Sequence, residues 1–487
     1  MKLPGTLAKA AVVACLSAGF AAAQDISYLP WTVCANQTTT CAQANVTFAY
    51  YYGYPLYQYA LAVQRTTNAS TNSLFHQRNV STAADKWLNK PNVDTLYSRA
   101  FLDLSCSDLV INVPEMGDRY WVWPFYDPYG NNVANIGKLQ SYPAGKYLVR
   151  FDKSNPGVHR FNKKSPYQAY INIPTPYAIS AVRILVQPNE ADAAAVHRVQ
   201  DQLRITPIRR ASQLPVAPPL NLTMFTDPKI VPGSINTLEE GVLRLTAKLS
   251  LYNAPLVIAD RTWVSATLQG AGLAKGRFAQ PKGTNLTAAS LAANNSIVNE
   301  FFVPGYLQNL GNNWVHPQAA YIGNFQSAYV TRYNIAATGY LALTRDQAMY
   351  PAYASSTINN IIPSTSALRL TFSAGPKLKS HGFWSLTIYD ANAYLIPNDL
   401  DRYAFGDRSN FTLMDGTISS GAEDGSFQIL IQPSNVPPPA NWTSNWLPAP
   451  PDGNGFQINL RFYGGEDAMS NGSYVYPVVE TIDAIPA

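Results

Sequence analysis

Trp121-Val-Trp-Pro-Phe-Tyr-Asp127 returns in outline as Trp384-Ser-Leu-Thr-Ile-Tyr-Asp390, both reading W-x-x-x-x-Y-D. Each copy is an apolar, strand-like run that ends at an aspartate. Each then meets turn chemistry, Pro128-Tyr-Gly-Asn-Asn132 in one and Ala391-Asn-Ala-Tyr394 in the other. An Arg-Tyr pair lies near both, Arg119-Tyr120 and Arg402-Tyr403. The echo predicts two β-strands in comparable places of two β-rich domains. The fold class read from it is α+β: two β-rich domains, the C-terminal one a sandwich or jelly roll, with a helical middle segment.

Outward from the first copy, the period from Thr95 is two. Leu96, Ala100, Leu102 and Leu104 share one face; Tyr97, Arg99, Phe101 and Asp103 share the other. Further strands are predicted at 109–113, 120–126, 146–151 and 177–186, the last with Arg183 inside it. A helix is predicted over 190–203, capped by Asn189, and another over 46–63, where Tyr50, Tyr54, Tyr57 and Leu61 recur at helical spacing. Around the second copy, strands are predicted at 368–372, 383–389, 426–431 and 456–463. Between the two regions lie a Pro-rich stretch and helical periodicity at 234–249, 288–302 and 319–343. The expected organisation is a lead-in over 24–45, an N-terminal domain over 46–206, a linker over 207–235, a helical subdomain over 236–362 and a sandwich over 363–487.

Composition sets the context. A chain of 487 residues with 47% hydrophobic and 13% charged residues supports large cores and excludes wholesale disorder. Residues 1–23 read as a signal peptide: Lys2 and Lys9, a short apolar stretch, then Ala21-Ala22-Ala23. Removing them takes away those two lysines and no acid, so the net charge of +5 falls to +3. Without a Lys/Arg cluster, nucleic-acid binding is not expected. Nor is a membrane span, since the apolar stretch is shorter than about 20 residues. The expected localisation is secreted and extracellular; the oligomeric state stays open. Cys34 and Cys41 flank a short polar loop and are expected to form a disulfide. That leaves Cys106 as the odd thiol, expected to be buried at a strand end. N-glycosylation sequons begin at Asn36, Asn45, Asn68, Asn79, Asn221, Asn285, Asn294, Asn410, Asn441 and Asn471.

No G-x-S-x-G elbow, Walker loop or dinucleotide fingerprint occurs, so no cofactor is expected. The histidines, His76, His159, His197, His316 and His381, show no metal-ligand spacing, so no metal is expected. Pro91-Asn-Val-Asp-Thr-Leu-Tyr-Ser98, Arg119-Tyr-Trp-Val122 and Phe125-Tyr-Asp-Pro-Tyr-Gly-Asn-Asn132 resemble the N-terminal domain of unknown function 1254. Gly382-Phe-Trp-Ser-Leu-Thr-Ile-Tyr-Asp390, Asp401-Arg-Tyr403, Asn445-Trp-Leu-Pro-Ala-Pro450 and Arg461-Phe-Tyr463 resemble its usual C-terminal partner, domain of unknown function 1214. The resemblance implies two β-rich domains and supplies no reaction.

A functional pocket is expected where the β-domains meet. Asp94 is the preferred acid/base and Tyr389 its alternative. Tyr97, Arg99, Arg119, Tyr126, Asn398, Arg402 and Trp446 are candidate substrate contacts, with Arg99 or Arg119 orienting an oxygen-bearing substrate. The structural alternative is an Asx turn at Asn92, turn capping by Asp127 and Asp390, and carboxylate pairing of the arginines. The best functional reading is an extracellular enzyme using Asp/Tyr acid–base chemistry on a small neutral or weakly anionic molecule or glycan. The alternatives are a non-catalytic carbohydrate- or metabolite-binding protein and a structural, cell-wall-associated glycoprotein.

Overall fold

The computed structural model describes residues 39–487 apart from 87–89, 162–164, 211–213, 355–360, 420–424 and 452–453. The signal peptide, Cys34 and the Asn36 sequon lie outside the described residues.

Two five-stranded sheets make the N-terminal β-domain. In the first, the order is Phe75–His76, Thr95–Asp103, Tyr177–Leu185, Trp121–Tyr126, Asn132–Gly137. In the second it is Arg204–Arg209, Ser107–Val113, Gly145–Phe151, Ala169–Ile173, Gly157–Arg160. The period-two pattern from Thr95 explains the layering. Leu96, Ala100 and Leu102 join Leu109, Ile111, Trp123 and Ile171 in the core between the sheets. Phe101, on the other face, packs into a helical layer with Tyr126, Ile179 and the long helix Thr39–Gln64.

That long helix starts within the expected lead-in, and Pro55 lies inside it without ending it. It packs on helices Leu238–Leu249, Asp260–Gly270, Leu286–Glu300 and Tyr329–Gly339 from the middle of the chain. Gly53 permits the closest approach: a Cβ there would lie 1.7 Å from Thr246 Oγ1. Arg332 is buried in this layer, its guanidinium within 4.6–4.8 Å of the centroids of Tyr52, Tyr129 and Tyr329. The helix expected over 319–343 is instead a 3-10 turn, Ala319–Tyr321, and the helix Tyr329–Gly339. Gly323 interrupts it at φ 72, packed so tightly on Leu343 and Thr344 that no Cβ fits. The expected linker is also packed. Pro207 lies in the edge strand Arg204–Arg209, where its missing N–H is tolerated, and Phe225 and Val231 are buried in the helical core.

The C-terminal domain is a sandwich of two four-stranded sheets. One runs Ala348–Met349, Phe456–Gly465, Leu378–Asp390, Ala404–Gly406; the other Trp446–Ala449, Phe427–Pro433, Ser366–Phe372, Val478–Asp483. Leu370, Phe372, Trp384, Leu386, Phe427 and Phe462 fill the space between.

The two W-x-x-x-x-Y-D stretches are both interior strands of their sheets. The likeness extends to their neighbours. Trp121 pairs with Ile184 and Trp384 with Phe462, and in each case the residue before that partner is an arginine, Arg183 or Arg461. Each arginine donates to the tyrosine hydroxyl of its own copy, Arg183 to Tyr126 at 3.4 Å and Arg461 to Tyr389 at 2.5 Å. The closing aspartates build the same five-residue turn. Asp127 Oδ1 accepts from the amides of Tyr129 and Asn131, and Asp390 Oδ1 from those of Asn392 and Tyr394. The fourth residue has positive φ in both, Gly130 and Ala393. Turn capping therefore accounts for both aspartates.

Candidate functional site

The residues before the two tryptophans meet. The Tyr120 and Phe383 rings lie 5.1 Å apart, and Tyr463 stacks on Phe383 at 4.1 Å. Around this contact the first N-terminal sheet faces the C-terminal sandwich across a polar seam. Asn92 forms the expected Asx turn, its side-chain oxygen accepting from the Asp94 amide at 2.6 Å and the Thr95 amide at 3.2 Å. Its side-chain nitrogen donates to Tyr463 Oη at 2.7 Å. The turn directs Asp94 into the other domain. There one carboxylate oxygen pairs with Arg408 and the other accepts from Ser385 Oγ at 2.7 Å. Tyr389 donates to the Pro91 carbonyl at 2.6 Å while accepting from Arg461, which also donates to Thr387 Oγ1 at 2.7 Å. Burial raises the Tyr389 hydroxyl above its ordinary value, against the lowering effect of Arg461. Asp94 and Tyr389 thus share one seam, and both are engaged in bonds that hold the domains together.

The other candidates divide. Tyr97 and Tyr126 lie on the same sheet face as Arg183, with Tyr97 in register opposite it. Arg99 is two residues further along the Tyr97 strand. Arg119 is spent within its own domain in a two-pronged pair with Asp192, 2.9 Å on each prong. Arg402 donates to the carbonyls of Thr443 and Trp446, Asn398 braces its own loop, and Trp446 donates to the Gln432 carbonyl. These last three fasten the sandwich end and do not reach the seam residues.

The sequence reading passed over Asp407 and Arg408. Asp407 follows the edge strand Ala404–Gly406. Gly406 lies so close to the Trp384 carbonyl that a Cβ would come within 2.3 Å, and the Asp407 carboxyl accepts from the Trp384 backbone of the neighbouring strand. Asp407 lines a cleft of about 360 Å³ whose floor includes Trp384, Phe411 and Phe427. Lys379 and His381 stand at its edge, placed by the irregularity between Leu378 and Phe383, where His381 has φ 65. Burial pushes the Asp407 carboxyl up to about 6; Arg408 opposes this and Asp94 reinforces it. Its Oδ1 has no hydrogen-bond partner and lies 3.5 Å from Arg408 Nε. Arg408 therefore bridges the cleft carboxyl to Asp94 in the seam. A second cleft of about 370 Å³ adjoins, sharing Lys379 and Glu466.

Cys106 is exposed, in the turn between two strands, and carries a free thiol; the expectation of a buried cysteine fails because the turn projects it outward. Asn45 is also a correction. It is 7% exposed inside the long helix, so its sequon is not available in the folded chain. Asn68, Asn79, Asn221, Asn285, Asn410, Asn441 and Asn471 are exposed; Asn294 is half-buried and accepts from the Tyr333 hydroxyl. Among the described residues no group of three or more His, Cys, Asp or Glu could hold a metal ion, and no helix is long and apolar enough to cross a membrane.

Two family models match the chain, each described as a protein of unknown function: DUF1254 over residues 71–207 and DUF1214 over 347–467. The fold is similar to the crystal structure of the VPA0106 protein from Vibrio parahaemolyticus, 18% identical, with a TM-score of 0.56, covering 91% of this chain and 100% of that one. A putative uncharacterized protein from Burkholderia cenocepacia is 12% identical, with a TM-score of 0.43, covering 93% and 99%. The search of curated proteins finds no match. At 18% identity the likeness to the Vibrio protein speaks for fold alone.

Proposed function

We propose that this chain, which belongs to the two-domain family carrying DUF1254 ahead of DUF1214, is an extracellular enzyme that uses acid–base chemistry on a small, ring-bearing, weakly anionic molecule. The site is the Asp407 cleft. The observation that carries the reading is a carboxyl raised to about 6 that lines an open cleft and is held from behind by Arg408. Such a group changes protonation near neutral pH, which suits it to take a proton and return it. The lining mixes the edges of buried aromatic residues with polar groups, and Lys379 and His381 fit an oxyanion at the rim. Asp94 holds Arg408 and so positions Asp407; it does not touch the substrate in this reading. Export is supported by the signal-like first 23 residues and by exposed sequons such as Asn79 and Asn441.

The test is a substrate screen on the secreted protein, run in parallel with Asp407→Asn. The expected result is a turnover whose pH profile rises through about 6 and which the variant loses while staying folded. A turnover that survives in Asp407→Asn overturns the assignment.

A further inference from the structure

We propose that Arg183 and Arg99 form a separate binding site for a small organic carboxylate, where the first sheet, the helical layer and the C-terminal sandwich meet. Arg183 is 6% exposed. One terminal nitrogen donates to the Leu341 carbonyl at 2.6 Å and to Tyr126 Oη at 3.4 Å, and its Nε has no partner. Among the described residues no carboxylate pairs with Arg183 or with Arg99. A buried guanidinium without a counter-charge is costly, and the titratable groups that act on Arg183 are the hydroxyls of Tyr97, Tyr126, Tyr350 and Tyr463. The Tyr120 hydroxyl, in the same seam, is buried without a partner.

The register brings the two arginines together. Tyr97 lies opposite Arg183 and Arg99 opposite Ala181 on the adjacent antiparallel strand. All four share one face, and the arginines are diagonal neighbours, about 7–8 Å apart at Cα. Ala181, the smallest side chain of the four, stands opposite Arg99 in the register. Tyr97, Arg99 and Tyr350 are half-buried and provide the mouth. Tyr97 acts on both guanidinium groups, and an anion held beside it supplies the counter-charge that Arg183 lacks. Guanidinium forks match the planar pair of oxygens of a carboxylate, and tyrosine rings give its organic part an apolar wall.

Benzoate is the probe, with methyl benzoate as its neutral counterpart and inorganic phosphate as the alternative oxyanion. Calorimetric titration of the full chain is expected to show saturable benzoate binding at one site, with no binding of the ester and at least tenfold weaker binding of phosphate. Arg183→Met is expected to abolish it. Because that variant also removes the Leu341 contact, Arg99→Met serves as the second, with a loss of at least tenfold while the unfolding midpoint holds. Asp407→Asn is expected to bind benzoate like the parent chain, which separates this site from the acid–base cleft. Benzoate binding unchanged in both arginine variants overturns the proposal. So does a loss that follows Lys379→Ala instead, or phosphate binding as tightly as benzoate.

Discussion

Asp94→Asn tests whether the seam carboxylate is structural. Asp94 is 1% exposed and accepts from Arg408 and Ser385, both in the other domain. Removing one member of a buried ion pair costs about 3–5 kcal/mol when the other charge is stranded. Arg408 is not fully stranded here. Asp407 lies 3.5 Å away, and the Phe383 ring lies under the guanidinium at 5.0 Å. The expected cost is therefore nearer about 2–3 kcal/mol, a fall of about 2–3 °C in the unfolding midpoint of a chain this long, whose unfolding entropy is about 1 kcal/mol/K. Scanning calorimetry at pH 7 measures it. The Arg408→Met variant and the double variant complete a cycle whose coupling isolates the pair. Removing the Asp94 charge also removes one of the influences that raises Asp407, so the Asp407 titration should move downward in the same variant. An Asp94→Asn protein that melts within about 1 °C of the parent, with no measurable coupling to Arg408, would refute the reasoning.

Other outcomes follow from single groups. Asp407 keeps its proton in the folded state up to about pH 6, above the ordinary aspartate value. The folded state thus binds more protons between about pH 4 and 6, and stability falls as pH rises through that window. Asp407→Asn should abolish that fall and raise stability above pH 7 by about 1–3 kcal/mol, read from urea midpoints; an unchanged pH slope counts against the burial argument. His316 is 2% exposed and burial pushes it down to about 3, so the unfolded chain takes up its proton first as pH drops. Stability should fall from pH 6.5 towards 3, and His316→Gln, which can still accept from the Tyr350 amide, should flatten that limb. Cys106 should react in the folded protein with a thiol reagent, and protection until unfolding would contradict its exposed turn position. Glycopeptide mapping should find Asn45 unmodified and Asn79 and Asn441 occupied; a glycan on Asn45 would contradict its burial in the helix.

Local pattern carried much of the fold. The alternation from Thr95 to Leu104 fixed which face of the strand entered the sheet-on-sheet core, because side chains alternate along a strand that no bulge interrupts. The repeated W-x-x-x-x-Y-D located two equivalent interior strands, and the aspartates could be read as turn formers because that chemistry spans only five residues. Long-range partners were not legible. Nothing near Val46 says that its helix packs against segments about 200 residues later, and nothing near Pro207 says that it joins a sheet edge. The site shows the same division. Asp94, Tyr97, Tyr126 and Tyr389 could be singled out because they sit inside long apolar motifs, where a polar side chain stands out; that Asp94 and Tyr389 are spent on bonds across the seam could not be read. Asp407 was missed because a Gly-Asp-Arg after a three-residue strand looks like an exposed turn. Only the folded packing, with the Asp407 carboxyl accepting from the Trp384 backbone, reveals that it is drawn inside. Arg183 was visible as a charge within a strand; its lack of a carboxylate partner among the described residues was not.

The central claim is that an accessible cleft holds a carboxyl that titrates near neutral pH. Carbon-13 NMR of the protein labelled at aspartate carboxyls, with Asp407→Asn supplying the assignment, measures this directly. The account predicts a resonance that titrates with a midpoint of about 6 and vanishes in the variant. A midpoint at the ordinary aspartate value, near 4, would contradict it.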